Sequence, residues 1–189
     1  MDVDQRELVV RAQRGDHDAF AALVPPLLAR LDAAARLILR DHDLARDAVQ
    51  EGFVRAWRNL PTLRDPARFE PWVRRLVVAS CIDILRRRRR RPVEVVLTPA
   101  DGPAVRDIAA GIADRDQLDR AMRRLDVDLR VIVVLHYYLG MPLPDVAQTI
   151  GIPIGTAKSR LHRSLVALRA DLGADSDAAT AAVAGAQLA

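Results

Sequence analysis

Along residues 1–91 the apolar side chains return every three or four positions and never in strict alternation. That period commits the stretch to packed α-helices and excludes a half-buried sheet. Leu8, Val9, Ala12, Ala19, Phe20, Leu23 and Val24 form an opening amphipathic hairpin bent at Gly15–Asp16, and Pro25–Pro26 punctuate before a helix over Leu27 to Leu39. A helix from about Leu44 to Leu60 gathers Ala45, Ala48, Val49, Phe53, Ala56, Trp57 and Leu60 on one stripe and leaves Asp43, Asp47, Gln50 and Glu51 on the other side. Pro61 ends it and Asp65–Pro66 mark a turn. Pro71 suits the first turn of a further helix, whose buried face is Trp72, Val73, Leu76, Val77, Ser80, Ile84 and Leu85.

The period is lost over residues 92–113, where Pro92, Pro99, Gly102, Pro103 and Gly111 interrupt every turn; a flexible acidic linker is expected. It resumes near Asp114, first with Leu118, Met122 and Leu125, then with Leu129, Ile132, Val133 and Leu135 to Tyr138. The expected fold class is therefore all-α, with two small helical domains at 1–91 and 114–172. The alanine-rich stretch 173–189 is expected to be a disordered or fraying tail.

With 189 residues, half of them apolar, the chain can bury one medium core or two small ones without staples. Its one cysteine, Cys81, can close neither an internal disulfide nor a zinc site, which fits a reducing, cytoplasmic setting. No run of apolar residues is long enough to span a bilayer, and the start carries Asp2, Asp4 and Glu7 rather than a basic stretch, so neither membrane span nor secretion signal is expected. His17, His42, His136 and His162 are scattered, Cys81 has no paired histidine in sequence reach, and no glycine-rich phosphate loop occurs. An enzyme is disfavoured, and no catalytic residue, metal or cofactor is expected.

Charge separates by segment. Residues 64–91 hold ten arginines against Asp65, Glu70 and Asp83, and residues 152–169 hold Lys158, Arg160, Arg163 and Arg169 with no acid. The segment between is acidic. Two separated basic blocks suggest a polyanion gripped at two places.

The sharpest local signal spans Pro144 to Arg163, PDVAQTIGIPIGTAKSRLHR, which reads as helix, tight turn, helix. Val146, Ala147 and Ile150 face inward, small Ala147 lets the second helix cross closely, and Gly151 supplies a left-handed turn residue. On the second helix Ile154, Ala157, Leu161, Leu165 and Leu168 share the side to be buried. The opposite side carries Thr156, Ser159, His162 and Arg163, flanked by Lys158 and Arg160. Short polar groups and cations near a helix start suit entry into a major groove: Ser159, His162 and Arg163 at base edges, Lys158 and Arg160 at phosphates. A free-standing helix-turn-helix repressor is one reading of this motif.

Four blocks in order resemble the extracytoplasmic-function (ECF) group of bacterial sigma factors. GDHDAF, ending at Phe20, is similar to the group's opening helix. Asp47 to Trp57, DAVQEGFVRAW, resembles its core-polymerase-binding segment. Trp72 to Arg90, with CIDILRR, resembles its minus-ten segment, and GIPIGTAKSRLHR, ending at Arg163, its minus-thirty-five recognition helix. The resemblance implies an alternative sigma factor that carries RNA polymerase to promoter DNA, with residues 1–91 as region 2 and 114–172 as region 4. It implies that Asp47, Gln50 and Glu51 dock on the clamp helices of the polymerase β′ subunit, that region 4 meets the β flap, and that an anti-sigma factor is a partner. It further implies that Arg64, Arg68, Arg74, Arg75, Arg86, Arg87 and Arg88 face the minus-ten DNA, with the Arg86–Arg91 run on its backbone and the loop Thr62 to Arg68 receiving a flipped base. Phe69 and Trp72 are either stacking platforms or core. The chain departs from the group's pattern at Val78 and Ala79, where arginine and asparagine are common, and at Pro142, where a capping serine is common.

Overall fold

A computed structural model describes residues 3–90 and 109–186, with side chains described over 5–90 and 116–173. The chain divides into two compact units, Met1–Asp101 and Gly102–Ala189. Among the described residues there is no strand, and no helix is long and apolar enough to cross a membrane.

In the first unit α1 (Val3–Gln13) and α2 (His17–Leu23) form the expected hairpin. Its corner is fixed by Asp16, which caps α2 by accepting from Ala19 N at 2.9 Å and also takes the Arg11 guanidinium at 2.8 Å. Pro25 and Pro26 stand inside the first turn of α3 (Pro25–Leu39), where no N–H is needed. Helix α4 (His42–Asn59) starts at Asp41, whose carboxylate accepts from Leu44 N at 3.0 Å. Two 3₁₀ turns, Leu60–Thr62 and Pro66–Arg68, lead into α5 (Phe69–Arg90).

Helices α4 and α5 meet through Gly52. A β-carbon there would lie 2.5 Å from Val77 Cγ2 and 2.7 Å from Val77 Cα, so only hydrogen permits this approach. The buried face of α5 is Phe69, Val73, Val77, Val78, Ser80, Cys81 and Ile82, while Trp72, Leu76, Ile84 and Leu85 are half-buried. The arc is broader than a single stripe because α3 and α4 both pack on α5. Val78, one of the departures from the group's pattern, is thus a core residue. Burial also pushes the Cys81 thiol up to about 12.

The second unit holds α6 (Ala109–Arg124), α7 (Val127–Val133), α8 (Leu143–Ile150) and α9 (Ile154–Ala186). Helix α7 continues into a π turn, Val134–Tyr138, closed by Leu139 N donating to Val134 O at 3.0 Å. Its core joins Ala121, Met122 and Leu125 of α6 to Ile132, Leu135, Leu139, Met141, Val146, Ala157 and Leu168. Buried Arg130 donates to Leu125 O at 3.0 Å, satisfying a carbonyl at the end of α6.

Two boundaries differ from expectation. Residues 109–113, assigned to the linker, belong to α6, and the supposed tail continues α9 as helix through Ala186. Alanine is the strongest helix former and no proline follows Pro153, so nothing in that stretch terminates the helix. The rest of the expected linker lies outside the described residues.

Candidate nucleic-acid interface

Helices α8 and α9 make the helix-turn-helix. Gly151 closes α8 in the left-handed region (φ 73°), its N–H reaching Ala147 O at 2.9 Å, and Ile152 N reaches the same carbonyl at 3.0 Å. Val146 and Ala147 are buried beneath the crossing. Pro142 stands at the N-cap of α8 with no side-chain cap, as its chemistry requires.

On α9 the buried stripe is Ala157, Ser164 and Leu168, with Leu161 and Leu165 half-buried. Ile154, expected in that stripe, is 42% exposed, because it is the first helical residue and follows exposed Pro153. Ser164, absent from the expected stripe, is buried with its hydroxyl 2.7 Å from Arg160 O and 3.1 Å from Leu129 O. The helix tolerates this polar group because those carbonyls satisfy it.

The other side carries Lys158, Ser159, His162 and Arg163, all exposed, with Thr156 half-buried at its edge. At 100° per residue these five lie within an arc of about 160°. Ser159 Oγ donates to Thr156 O at 3.0 Å. Arg160 falls outside the arc: its guanidinium is 3.0 Å from the Asp128 carboxylate on α7. Five of the six residues singled out on this helix therefore form one surface, and Arg160 borders it, held from behind.

In the first unit Arg64 and Arg68 lie exposed on the loop before α5, with Arg68 3.8 Å from Asp65. On α5 itself Arg74 is half-buried, whereas Arg75, Arg86, Arg87 and Arg88 are exposed. Arg75 and Arg86 share a face about 16 Å apart along the axis. Arg88 reaches back to Asp41 at 2.7 Å. The Asp41 carboxyl is held below the ordinary carboxylate range, first by the Leu44 N–H and also by Arg88. Arg91 lies outside the described residues.

Asp47, Gln50 and Glu51 are exposed on α4, opposite buried Ala45, Ala48, Val49, Gly52 and Ala56. Arg55 forks between Glu51 on its own helix, at 2.8 Å, and Asp83 on α5, at 3.1 Å. The acidic stripe is thereby tied to the helix that carries the arginine run. Glu51–Arg55 has the i, i+4 spacing visible in the sequence; the reach to Asp83 does not. Phe69 is core, 1% exposed, which removes it as a stacking platform. Trp72 is half-buried 6.4 Å from Phe69, and Trp57 packs against His17 (4.4 Å) and Phe20 (5.1 Å).

Two family models match this chain: sigma-70 region 2 over residues 23–91 and sigma-70 region 4 over residues 115–168. Among curated proteins it is similar to the ECF RNA polymerase sigma factor SigM of Mycobacterium tuberculosis, 33% identical over 167 residues, covering 88% of this chain and 84% of that one. Among solved structures it is similar to the sigma factor RpoE in complex with the anti-sigma factor NepR from Bartonella quintana. That match has TM-score 0.64 and 26% identity over 82% of this chain and 98% of that chain. It is also similar to CnrH in complex with the cytosolic domain of CnrY, with TM-score 0.61 and 27% identity over 91% and 99%.

Proposed function

Because this chain belongs to the sigma-70 family, as an ECF RNA polymerase sigma factor, we propose a division of its work between the two helical units. It is a promoter-directing transcription initiation factor and not an enzyme. A stand-alone repressor would use the helix-turn-helix and leave the first unit unemployed; the family match over both units removes that reading.

In the proposed division residues 1–91 hold core polymerase and the minus-ten element, and the helices from α6 onward, 109–172, hold the minus-thirty-five element. The α9 surface lies in the major groove of the upstream duplex. Ser159, His162 and Arg163 read base edges there, and Lys158 and Thr156 meet the backbone. Arg160, paired with Asp128, contributes one remaining donor edge to a phosphate. The observation that carries this reading is the segregation on α9: Ala157, Ser164 and Leu168 buried on one side, Lys158, Ser159, His162 and Arg163 exposed on the other.

In the first unit Arg64, Arg68, Arg74, Arg75, Arg86, Arg87 and Arg88 follow the backbone of the minus-ten DNA, and the loop 62–68 receives an unpaired base. Asp47, Gln50 and Glu51 dock on the β′ clamp helices, and the second unit meets the β flap. An anti-sigma factor, the kind of partner that the RpoE structure contains, covers these surfaces until it is released, in the cytoplasm. Two weak DNA grips held at fixed spacing by polymerase gain effective concentration that neither has alone. Transcription in vitro with core polymerase and this chain, with start sites mapped, tests the proposal. Initiation at sites sharing upstream and minus-ten elements is the expected result, and no initiation at any genomic site would sink it.

A further inference from the structure

Gln13 ends α1, ahead of the segment that the region 2 family model matches. Its side-chain amide donates to Leu63 O at 2.7 Å and Leu60 O at 3.2 Å. Those carbonyls bracket the 3₁₀ turn by which the chain leaves α4 and enters the loop 62–68. Both leucines are buried, at 0% and 9% exposure, so their carbonyls need donors from within the protein, although Pro61 and Thr62 between them are exposed; Leu63 N supplies one to Leu60 O at 3.1 Å, and Gln13 supplies the others. Gln13 is half-buried and delivers its donors from the rigid corner that Arg11, Asp16 and Ala19 lock. Thr62 Oγ1 donates to Asn59 O at 2.7 Å, and Asp65 Oδ1 accepts from Ala67 N at 3.0 Å, so the loop is tied again on its own side. With its base pinned, the loop leaves Arg64, Asp65, Ala67 and Arg68 exposed.

We infer that Gln13 is a positioning residue for promoter opening: it fixes the loop 62–68 in the geometry that receives an unpaired base. This rests on the proposed role of that loop. The requirement is for a hydrogen-bond donor at that reach, not for bulk. Gln13→Met keeps the length and removes the donor, Gln13→Glu turns an acceptor toward two carbonyls, and Gln13→Lys restores a donor.

The test uses reconstituted holoenzyme with the full chain and a promoter carrying 2-aminopurine in its minus-ten element, whose fluorescence rises on unstacking. Gln13→Met is expected to slow opening about threefold to tenfold, the worth of one to two net hydrogen bonds, and Gln13→Glu at least as much. Gln13→Lys is expected to open within about twofold of the parent, and core-polymerase affinity is expected to be the same for all, because Gln13 lies outside the proposed docking surface on α4. Gln13→Asn, one methylene too short to span both carbonyls, carries the comparison if the Met variant melts below assay temperature. Opening by Gln13→Met at the parent rate, or equal slowing by Met and Lys, would overturn the inference. An Arg64→Ala, Arg68→Ala double variant separates the two layers. If it opens at the parent rate, the loop's role fails and Gln13's with it. If it is slow while Gln13→Met is not, only the inference about Gln13 fails.

Discussion

The two units carry their surface charge in opposite ways. In the first, basic and acidic groups are bound to one another across helices: Arg88 to Asp41, Arg55 to both Glu51 and Asp83. In the second, the polar face of α9 is open, with Lys158, Ser159, His162 and Arg163 exposed and the Arg160–Asp128 ion pair at its rim. On the proposed division of work, the difference follows from what each surface would do. A helix that enters intact duplex needs only an exposed face on a supported rod, whereas a module that holds a protein and a separated strand must keep two surfaces in fixed relation. Gly52 against Val77 supplies that relation, and Arg55 crosses the same seam at the surface.

The largest test of this contrast is the acidic stripe. Asp47→Arg with Glu51→Arg should weaken core-polymerase binding about a hundredfold or more, since reversed charge at an interface costs several kcal/mol. Equilibrium binding to core polymerase measures it. Helix α9 should be unaffected, so binding by the second unit to upstream duplex in a fused or pre-assembled complex should persist. Parent affinity in the double variant would remove α4 as the docking surface.

Next is the seam. Gly52→Ala forces a methyl group into Val77, partly against backbone, and should destabilise the first unit by about 3 kcal/mol, the upper range for overpacking. The chain's two tryptophans, Trp57 and Trp72, both lie in the first unit, so their fluorescence on denaturation reads that unit. An unchanged midpoint would mean that α4 and α5 can separate freely, and the contrast between a locked and an open unit would lose its basis. A smaller effect is expected on the open face. Arg163→Ala should cost about 1–2 kcal/mol of discrimination at one upstream base pair, seen as relaxed preference in a randomised minus-thirty-five library. Weaker binding without relaxed preference would reassign Arg163 to the backbone.

These two surfaces were unequally legible in the sequence. A helix covered from one side announces its buried arc by period, so the exposed face of α9 could be read from spacing alone. Even there Ile154 was misplaced, since period carries no information about where a neighbour's cover begins, and Ser164 was missed, since a buried hydroxyl depends on carbonyls such as Leu129 O, far away in sequence. Helix α5 has two neighbours, so its buried arc is too broad for one stripe, and Val78 and Ile82 appear in the core only with the fold in hand. Bonds such as Gln13 to Leu63 or Arg88 to Asp41 join positions about fifty residues apart and leave no local pattern. The proposed docking role of Asp47, Gln50 and Glu51 rests on family resemblance; period shows only that they are exposed. The helical tail was legible in principle, because alanine content argues for helix, but the lack of any apolar stripe argued for disorder.

The smallest effect separates the units by acid. Among the described residues the carboxyls held below their ordinary range, Asp16 and Asp41, both lie in the first unit, each capping a helix and each meeting an arginine. A carboxyl with a depressed folded-state pKa contributes stability that is fully present above its unfolded value, about 3.9, and is lost as pH falls through the folded value. Tryptophan-monitored stability of the first unit should therefore decline below about pH 4, the unfolded aspartate value. Asp41→Asn keeps an acceptor for Leu44 N but carries no charge for Arg88. It should start slightly less stable at neutral pH, by under about 1 kcal/mol given how exposed the pair is, and lose less on acidification. The cap of α8 is Pro142, which has nothing to titrate, so that helix has no equivalent acid-sensitive cap. If Asp41→Asn and the parent fall in parallel with pH, the Asp41–Arg88 bond adds nothing beyond the cap.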